Sequence, residues 1–328
     1  MVKKIGKKIV ADLKKRSEKG LELAKQIMQK EKIEDLTLRE ALTHYLTNWN
    51  DFTHSGLFSL ACEAVGGKTD DTISAQAAIA MMAAAFDIHD DIIDKSETKH
   101  KTPTVYGKFG PEVALLLGNA FLIEGLKLLV NSAEVLPRQK ARWLLETVKE
   151  LTFEVGNAHA IEAGLKKRKN IVPEEYMHVI EMKAAGIELD MTLGALFGGG
   201  KKSEIDLISR LGRIIGILVM IREEFIDIFE IEELRHRIRT NNLPLPVLFA
   251  MQNDKVRIKI TGIIKNSRIT QTDSAKILNI TFASEPVIKL KQKMNDLVTD
   301  GHQVSKYILN TEARTQFQQL LSFMLEDL

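Results

Sequence analysis

The chain has 328 residues, 45% hydrophobic and 27% charged, enough to bury a sizeable core without disulfide or metal staples. Lys+Arg 46 against Asp+Glu 44 leaves a formal charge of +2, too balanced for a nucleic-acid binder that draws its affinity from neutralised phosphates. The single cysteine, Cys62, excludes an internal disulfide or a cysteine metal site and points to a reducing, cytoplasmic setting.

In chain order, Lys3, Lys4, Lys7, Lys8, Lys14, Lys15 and Arg16 alternate with Ile5, Ile9, Val10 and Leu13 at helical spacing, which predicts a basic amphipathic first helix without the apolar block of a signal peptide. A helix packed on the body with a solvated face is preferred to one touching a membrane surface, because charge runs mostly mark exposed faces. Proline occurs only 7 times, and 112–136 and 174–243 contain none, so long helices are expected. The most apolar stretch, 113–130, is interrupted by Asn119, Glu124 and Lys127, short of the roughly 20 apolar residues of a transmembrane segment. Breaks are expected at Gly66 to Thr69, Lys101 to Pro111, Pro137, Lys166 to Pro173, Gly198 to Gly200, Asn241 to Pro246 and Ser284 to Pro286, with Asp300-Gly301 between helical patterns. The reading is all-α, a single domain over 1–328, with roughly ten helices joined by short connections.

Asp87, Asp90, Asp91 and Asp94 fall near one face of a predicted helix, directly after the apolar run 77–86. Like charges so placed repel and call for cations, and Lys or Arg at i+4 is largely missing. Glu223, Glu224 and Asp227 repeat the spacing after the apolar run 214–221, although such a triplet alone is equally a solvated face. Two such helices facing one another would offer hard oxygen ligands to Mg²⁺ shared with a diphosphate.

With these residues in view, the chain resembles the trans-prenyl diphosphate synthases, the polyprenyl synthetases of isoprenoid biosynthesis. Asp90-Asp91-Ile92-Ile93-Asp94 resembles the first aspartate-rich motif, followed by Ser96 and Pro103-Thr104; Gly118 precedes Asn119 where the family has Asp; 176–183 resembles the lysine segment; 216–227 resembles the second acidic motif; Leu243-Pro244 matches the Leu-Pro after it. The resemblance implies an isoprenoid synthase fold, a helical bundle around a deep apolar cavity capped by both motifs, usually a homodimer, a heteromer being the alternative. It further implies Mg²⁺ on Asp90, Asp91, Asp94, Glu223, Glu224 and Asp227, catalysis through Asp90, Asp91, Asp94 and Lys183, and an allylic diphosphate held by Lys99, Lys183, Arg222 and Arg239.

The departures concern the second substrate, isopentenyl diphosphate. The family's basic positions fall on Asp51, His54, Ala83 and His100, with Lys99 retained. A carboxylate at 51 turns attraction for a diphosphate into repulsion. The expectation is therefore a terpene-synthase-like enzyme that ionises an allylic diphosphate of about fifteen to twenty-five carbons. The alternatives are a geranylgeranyl or polyprenyl synthase that still elongates, using Lys68, Lys101 or Lys108, and a non-catalytic subunit of a heteromer. Ala80, Ala83, Ala84 and Ala85 suit either a deep pocket or close helix packing. Trp49 and Phe52 read as core, as do Met81, Met82 and Met220, and His89 as a structural residue.

Overall fold

The computed structural model describes residues 2–99, 102–168, 170–265, 269–326 and 328, with side chains from residue 6 onward. His100 and Lys101, two of the positions weighed for diphosphate binding, lie outside the described residues, as do the side chains of Lys3, Lys4 and Ile5. The helices are α1 (Val2–Lys30), α2 (Leu36–Asn48), α3 (Thr53–Ala64), α4 (Ile73–Asp94), α5 (Val105–Phe109), α6 (Pro111–Ser132), α7 (Arg138–Leu165) and α8 (Pro173–Lys183). They continue with α9 (Ala185–Phe197), α10 (Lys202–Phe229), α11 (Ile231–Arg239), α12 (Leu245–Ala250), α13 (Asp254–Ile264), α14 (Gln271–Phe282), α15 (Glu285–Ser305) and α16 (Thr311–Phe323). Among the described residues, the strands are one antiparallel pair, Thr98–Lys99 with Thr102–Pro103.

The architecture is all-α as expected, but the described residues form sixteen helices in place of roughly ten. The extra ends come from single polar caps. Asp35, Asn253, Thr270 and Asn310 each accept backbone N–H groups of the next helix, satisfying donors that would otherwise be orphaned. Asp300-Gly301 is not a boundary: it lies inside α15, where a Cβ on Gly301 would stand 2.7 Å from Leu321 Cδ2, so the glycine serves close approach of α16.

Helix α1 buries Ile9, Leu13, Ser17, Ala24 and Met28 at spacings of four and seven against α3 and α4, and leaves Lys7, Lys8, Lys14 and Lys15 exposed. The packed reading of this helix therefore holds. One core region gathers Phe58, Phe225 and Phe317 among α3, α9, α10, α15 and α16, and a second gathers Trp49, Leu117 and Phe121 among α2, α4 and α6. Trp49 lies edge-on to Phe121 at 5.4 Å and is buried, as its core assignment requires. Ala77, Ala80, Ala84 and Ala85 are all buried in this second region, so most of the alanine stripe of α4 serves contact with α6.

The other side of α6 is unpartnered. Leu115, Leu116, Ile123, Leu126 and Val130 are exposed there, and Phe153 of α7 is exposed as well. Residues 111–135 are long and apolar enough to cross a membrane by length and composition, although the sequence reading excluded such a segment.

Candidate active site

The first acidic cluster is built at the end of α4. Lys95 adopts the left-handed conformation (φ 54°, ψ 40°), and Ser96 N–H donates to Asp91 O at 2.9 Å, which closes the helix and turns the chain back. Thr104 Oγ1 donates to Ser96 O (2.6 Å) and accepts from Gly107 N–H (2.9 Å), pinning the returning strand. A Cβ at Gly107 would fall 2.0 Å from Glu97 O, so only glycine fits that crossing. The hairpin thereby carries Lys99 Nζ to 2.6 Å from Asp87 Oδ1 and 2.8 Å from Asp91 Oδ1. Burial disfavours charge on Lys99, but the two carboxylates outweigh it and raise its pKa.

Helix α7 faces this cluster with His159, Glu162 and Lys166, one helical stripe. His159 Nδ1 lies 3.0 Å from Asp90 Oδ1, Lys166 pairs with Asp94, and Lys183 Nζ at the end of α8 lies 2.5 Å from Glu162 Oε2. Burial pushes the Glu162 carboxyl upward, yet Lys183 and Lys166 hold it down at about 2. Burial opposes ionisation of Asp90 as well, and His159 and Lys183 overcome it, leaving its pKa below the ordinary range.

The second cluster is held differently. Glu224 is buried on α10 and accepts from Arg237 of α11 (2.8 and 3.0 Å), Tyr176 OH of α8 (2.9 Å) and Leu245 N–H of α12 (2.7 Å). Asp227 accepts from Arg237 Nη1 at 2.6 Å. Asn242 donates to Glu162 at 3.2 Å, and Tyr176 OH lies 3.4 Å from the same carboxylate. The two clusters are thus linked through Glu162 and Tyr176.

A cavity of about 250 Å³ opens beside Asp90 and Lys183. Ile79, Met82, Phe86, Leu151, Val155, Ile187, Leu189 and Met220 supply its apolar lining, and Asp51, His54, Ala83 and Asp190 line it as well. Of the alanine stripe, only Ala83 lines it, so Ala80, Ala84 and Ala85 follow the close-packing alternative. His54 Nδ1 is 2.6 Å from buried Asp190 Oδ2, and Nε2 is 3.7 Å from Asp51 Oδ2. Burial lowers the His54 pKa, but Asp190 and then Asp51 raise it further, to about 10, so this imidazole is a cation at neutral pH, contrary to the neutral side chain the sequence suggested. Because the folded value exceeds the unfolded one of about 6.5, the stability this pair adds is fully present below pH 6.5 and is lost as pH rises through about 10. Urea denaturation at pH 6, 8 and 10 should show that decline in the wild type and a flatter profile in His54→Gln; matching profiles would show a neutral imidazole.

Several assigned residues stand elsewhere. Arg222 turns away to donate to the carbonyls of Phe323, Met324 and Glu326 and to stack on the Phe323 ring at 4.6 Å, so it ties α10 to the end of α16 instead of facing a diphosphate. Glu223, one residue on from it, is exposed, whereas Glu224 is buried. Arg239 lines a separate outer cleft of about 740 Å³ with Lys95, Glu97 and His236. Lys68 is exposed beside the 3₁₀ turn Thr69–Thr72, and Lys108 spends its charge near His44 and over the Phe109 ring, so neither lines the cavity. His89 packs under Gly118, with its pKa lowered by burial, which fits a structural role. His159, Glu162, Lys166, Tyr176 and Arg237 were missed; the 159/162/166 spacing was a legible helical stripe, whereas nothing local marks Arg237.

The donor chemistry divides the two clusters with respect to a divalent cation. Asp90 Oδ1 and Asp91 Oδ1 are buried and each faces a single side chain, His159 Nδ1 at 3.0 Å and Lys99 Nζ at 2.8 Å, which leaves acceptor positions for a cation. Glu224, by contrast, has its acceptor positions filled by protein donors.

A family model described as polyprenyl synthetase matches residues 25–281. The chain is 26% identical over 255 residues to the short chain isoprenyl diphosphate synthase of Methanothermobacter thermautotrophicus, covering 76% of this chain and 74% of that protein. It is 23% identical over 274 residues to the geranylgeranyl diphosphate synthase of Sulfolobus acidocaldarius, with 83% and 78% covered. Among solved structures, the geranylgeranyl pyrophosphate synthetase from Pyrococcus horikoshii Ot3 superposes over 98% of both chains with a TM-score of 0.84 at 22% identity, which establishes the isoprenoid synthase fold.

Proposed function

Because the chain belongs to the polyprenyl synthetase family, we propose that it is a prenyl diphosphate synthase of short-chain or geranylgeranyl type, joining an allylic diphosphate to isopentenyl diphosphate. The relatives it matches over most of their length are named for that product class, and this displaces the terpene-synthase-like expectation as the first reading. The observation that carries it is one largely apolar cavity whose lining includes Asp90, Lys183 and cationic His54.

Asp90, Asp91 and Asp94 would hold Mg²⁺, which when bound neutralises charge on the departing diphosphate. Lys183 donates to the same leaving group, and the wall from Ile79 to Met220 keeps water from the allylic cation. In the condensation, the C–O bond of the allylic substrate breaks, the isopentenyl double bond supplies the electron pair for the new C–C bond, and a proton leaves to restore the alkene. Incubation with Mg²⁺, farnesyl diphosphate and labelled isopentenyl diphosphate should yield a longer prenyl diphosphate. Asp51 in the same lining favours a second reading, ionisation without elongation; release of labelled alcohol or hydrocarbon from the allylic substrate, with no incorporation of isopentenyl label, would establish it in place of the first.

The apolar stripe of α6 with Phe153 suits a second copy of the chain. Light scattering should report a dimer, and Ile123→Glu with Phe153→Glu should convert it to a monomer; a monomeric wild type would refute this.

A further inference from the structure

Arg237 sits where the sequence pattern called for a metal. Its Nη1 is 2.6 Å from Asp227 Oδ2, and its Nη2 lies 2.8 and 3.0 Å from the two oxygens of Glu224 and 3.1 Å from Tyr176 OH. Nε donates to Asn242 O, while Asn242 N–H donates back to Arg237 O at 2.8 Å, so side chain and backbone are fixed together. The residue is 8% exposed. A planar fork with fixed donor directions matches two carboxylates in a way that a lysine's point charge does not.

Glu224 completes the lock. Each of its oxygens takes two donors, from Arg237 and Tyr176 on one and Arg237 and Leu245 on the other. A carboxylate offers about four lone-pair positions, so none remains. Mg²⁺ demands oxygens at about 2.0–2.1 Å in near-octahedral array, and could bind Glu224 only by stripping buried hydrogen bonds from a buried ion pair. The first cluster is the reverse case. There Lys99 comes from the hairpin and His159 and Lys166 from the end of α7, and Asp90 Oδ1 and Asp91 Oδ1 each meet a single side chain, His159 Nδ1 at 3.0 Å and Lys99 Nζ at 2.8 Å, where each Glu224 oxygen meets two donors.

We propose that Arg237 is a built-in counter-ion of the second acidic cluster, so that divalent cations enter this protein only at Asp90, Asp91 and Asp94. Glu224 and Asp227 then join α10 to α8, α11 and α12, and that side of the site keeps one geometry whether or not diphosphate is present. This deepens the function proposed above and rests on its assignment of the first cluster to Mg²⁺.

The test counts metal, not turnover. Mn²⁺ binding to the full chain is followed by electron paramagnetic resonance with inorganic pyrophosphate present, for the wild type, Asp91→Asn, Asp227→Asn and Arg237→Lys. Asp91→Asn should weaken Mn²⁺ at least tenfold and Asp227→Asn less than twofold. Comparable weakening by both would overturn the inference while leaving the proposed chemistry intact. Absence of any protein-dependent Mn²⁺ binding by the wild type would overturn both. Arg237→Lys, which keeps the charge but loses the fork, should open the second cluster and raise the Mn²⁺ count by one, and an unchanged count in the folded variant would overturn the role given to the guanidinium. Should that variant not fold, the Asp91 and Asp227 comparison decides alone.

Discussion

Glu224→Ala is expected to destabilise the protein by about 3–5 kcal/mol, the cost of leaving one member of a buried ion pair without its partner. Repulsion among neighbouring acids, taken alone, predicts the opposite sign, since removing one carboxylate relieves the cluster. The structure reverses the argument, because Glu224 neutralises a guanidinium that is itself buried, and accepts from Tyr176 and Leu245 as well. The truncation would strand Arg237, the tyrosine hydroxyl and a backbone N–H together. Glu224→Met with Arg237→Met should recover much of the loss, since a buried pair replaced by apolar side chains of similar volume is often neutral or better. Urea denaturation of the two single variants and the double variant measures this. A Glu224→Ala protein as stable as the wild type would show that the charges are not paired in solution.

Asp90→Asn should reduce diphosphate release by about 10²–10³-fold, the usual scale for removing one preorganised electrostatic contact from an active site. Asp90 is chosen over its neighbours because it lines the cavity and has its pKa lowered by His159 and Lys183 against the pull of burial. It is therefore ionised across the working pH range. An asparagine keeps the volume and can still meet His159, so the melting temperature should change by no more than a few degrees, which separates loss of chemistry from loss of fold. Pyrophosphate release from geranyl or farnesyl diphosphate is the measurement. Turnover at the wild-type rate would place the chemistry elsewhere.

The fold class and one half of the site were legible from residue order alone. Scarce proline, helical periodicity and the 87–94 acids determine an all-α chain with a charge cluster at the end of a buried helix, because these signals are local and act within one or two turns. The helix count was undercounted for the same reason: a cap such as Asn253 or Asn310 is one side chain with no periodicity to announce it. Charge compensation was decided only in three dimensions. The search at i+4 along α4 found almost no basic partner, yet Lys99, His159 and Lys166 reach the acids from a hairpin and from α7. Arg222 and Arg239 stood at the right distance along the chain to be diphosphate ligands, but helix phase turned one toward the end of α16 and the other into an outer cleft. Arg237, two residues before Arg239, was turned inward to fill the second cluster. Residue types and their spacing determined which charges this protein carries and which helices hold them. Which cation meets which carboxylate was left to the tertiary structure, because a Coulomb interaction depends on distance through space and the chain sets only distance along itself.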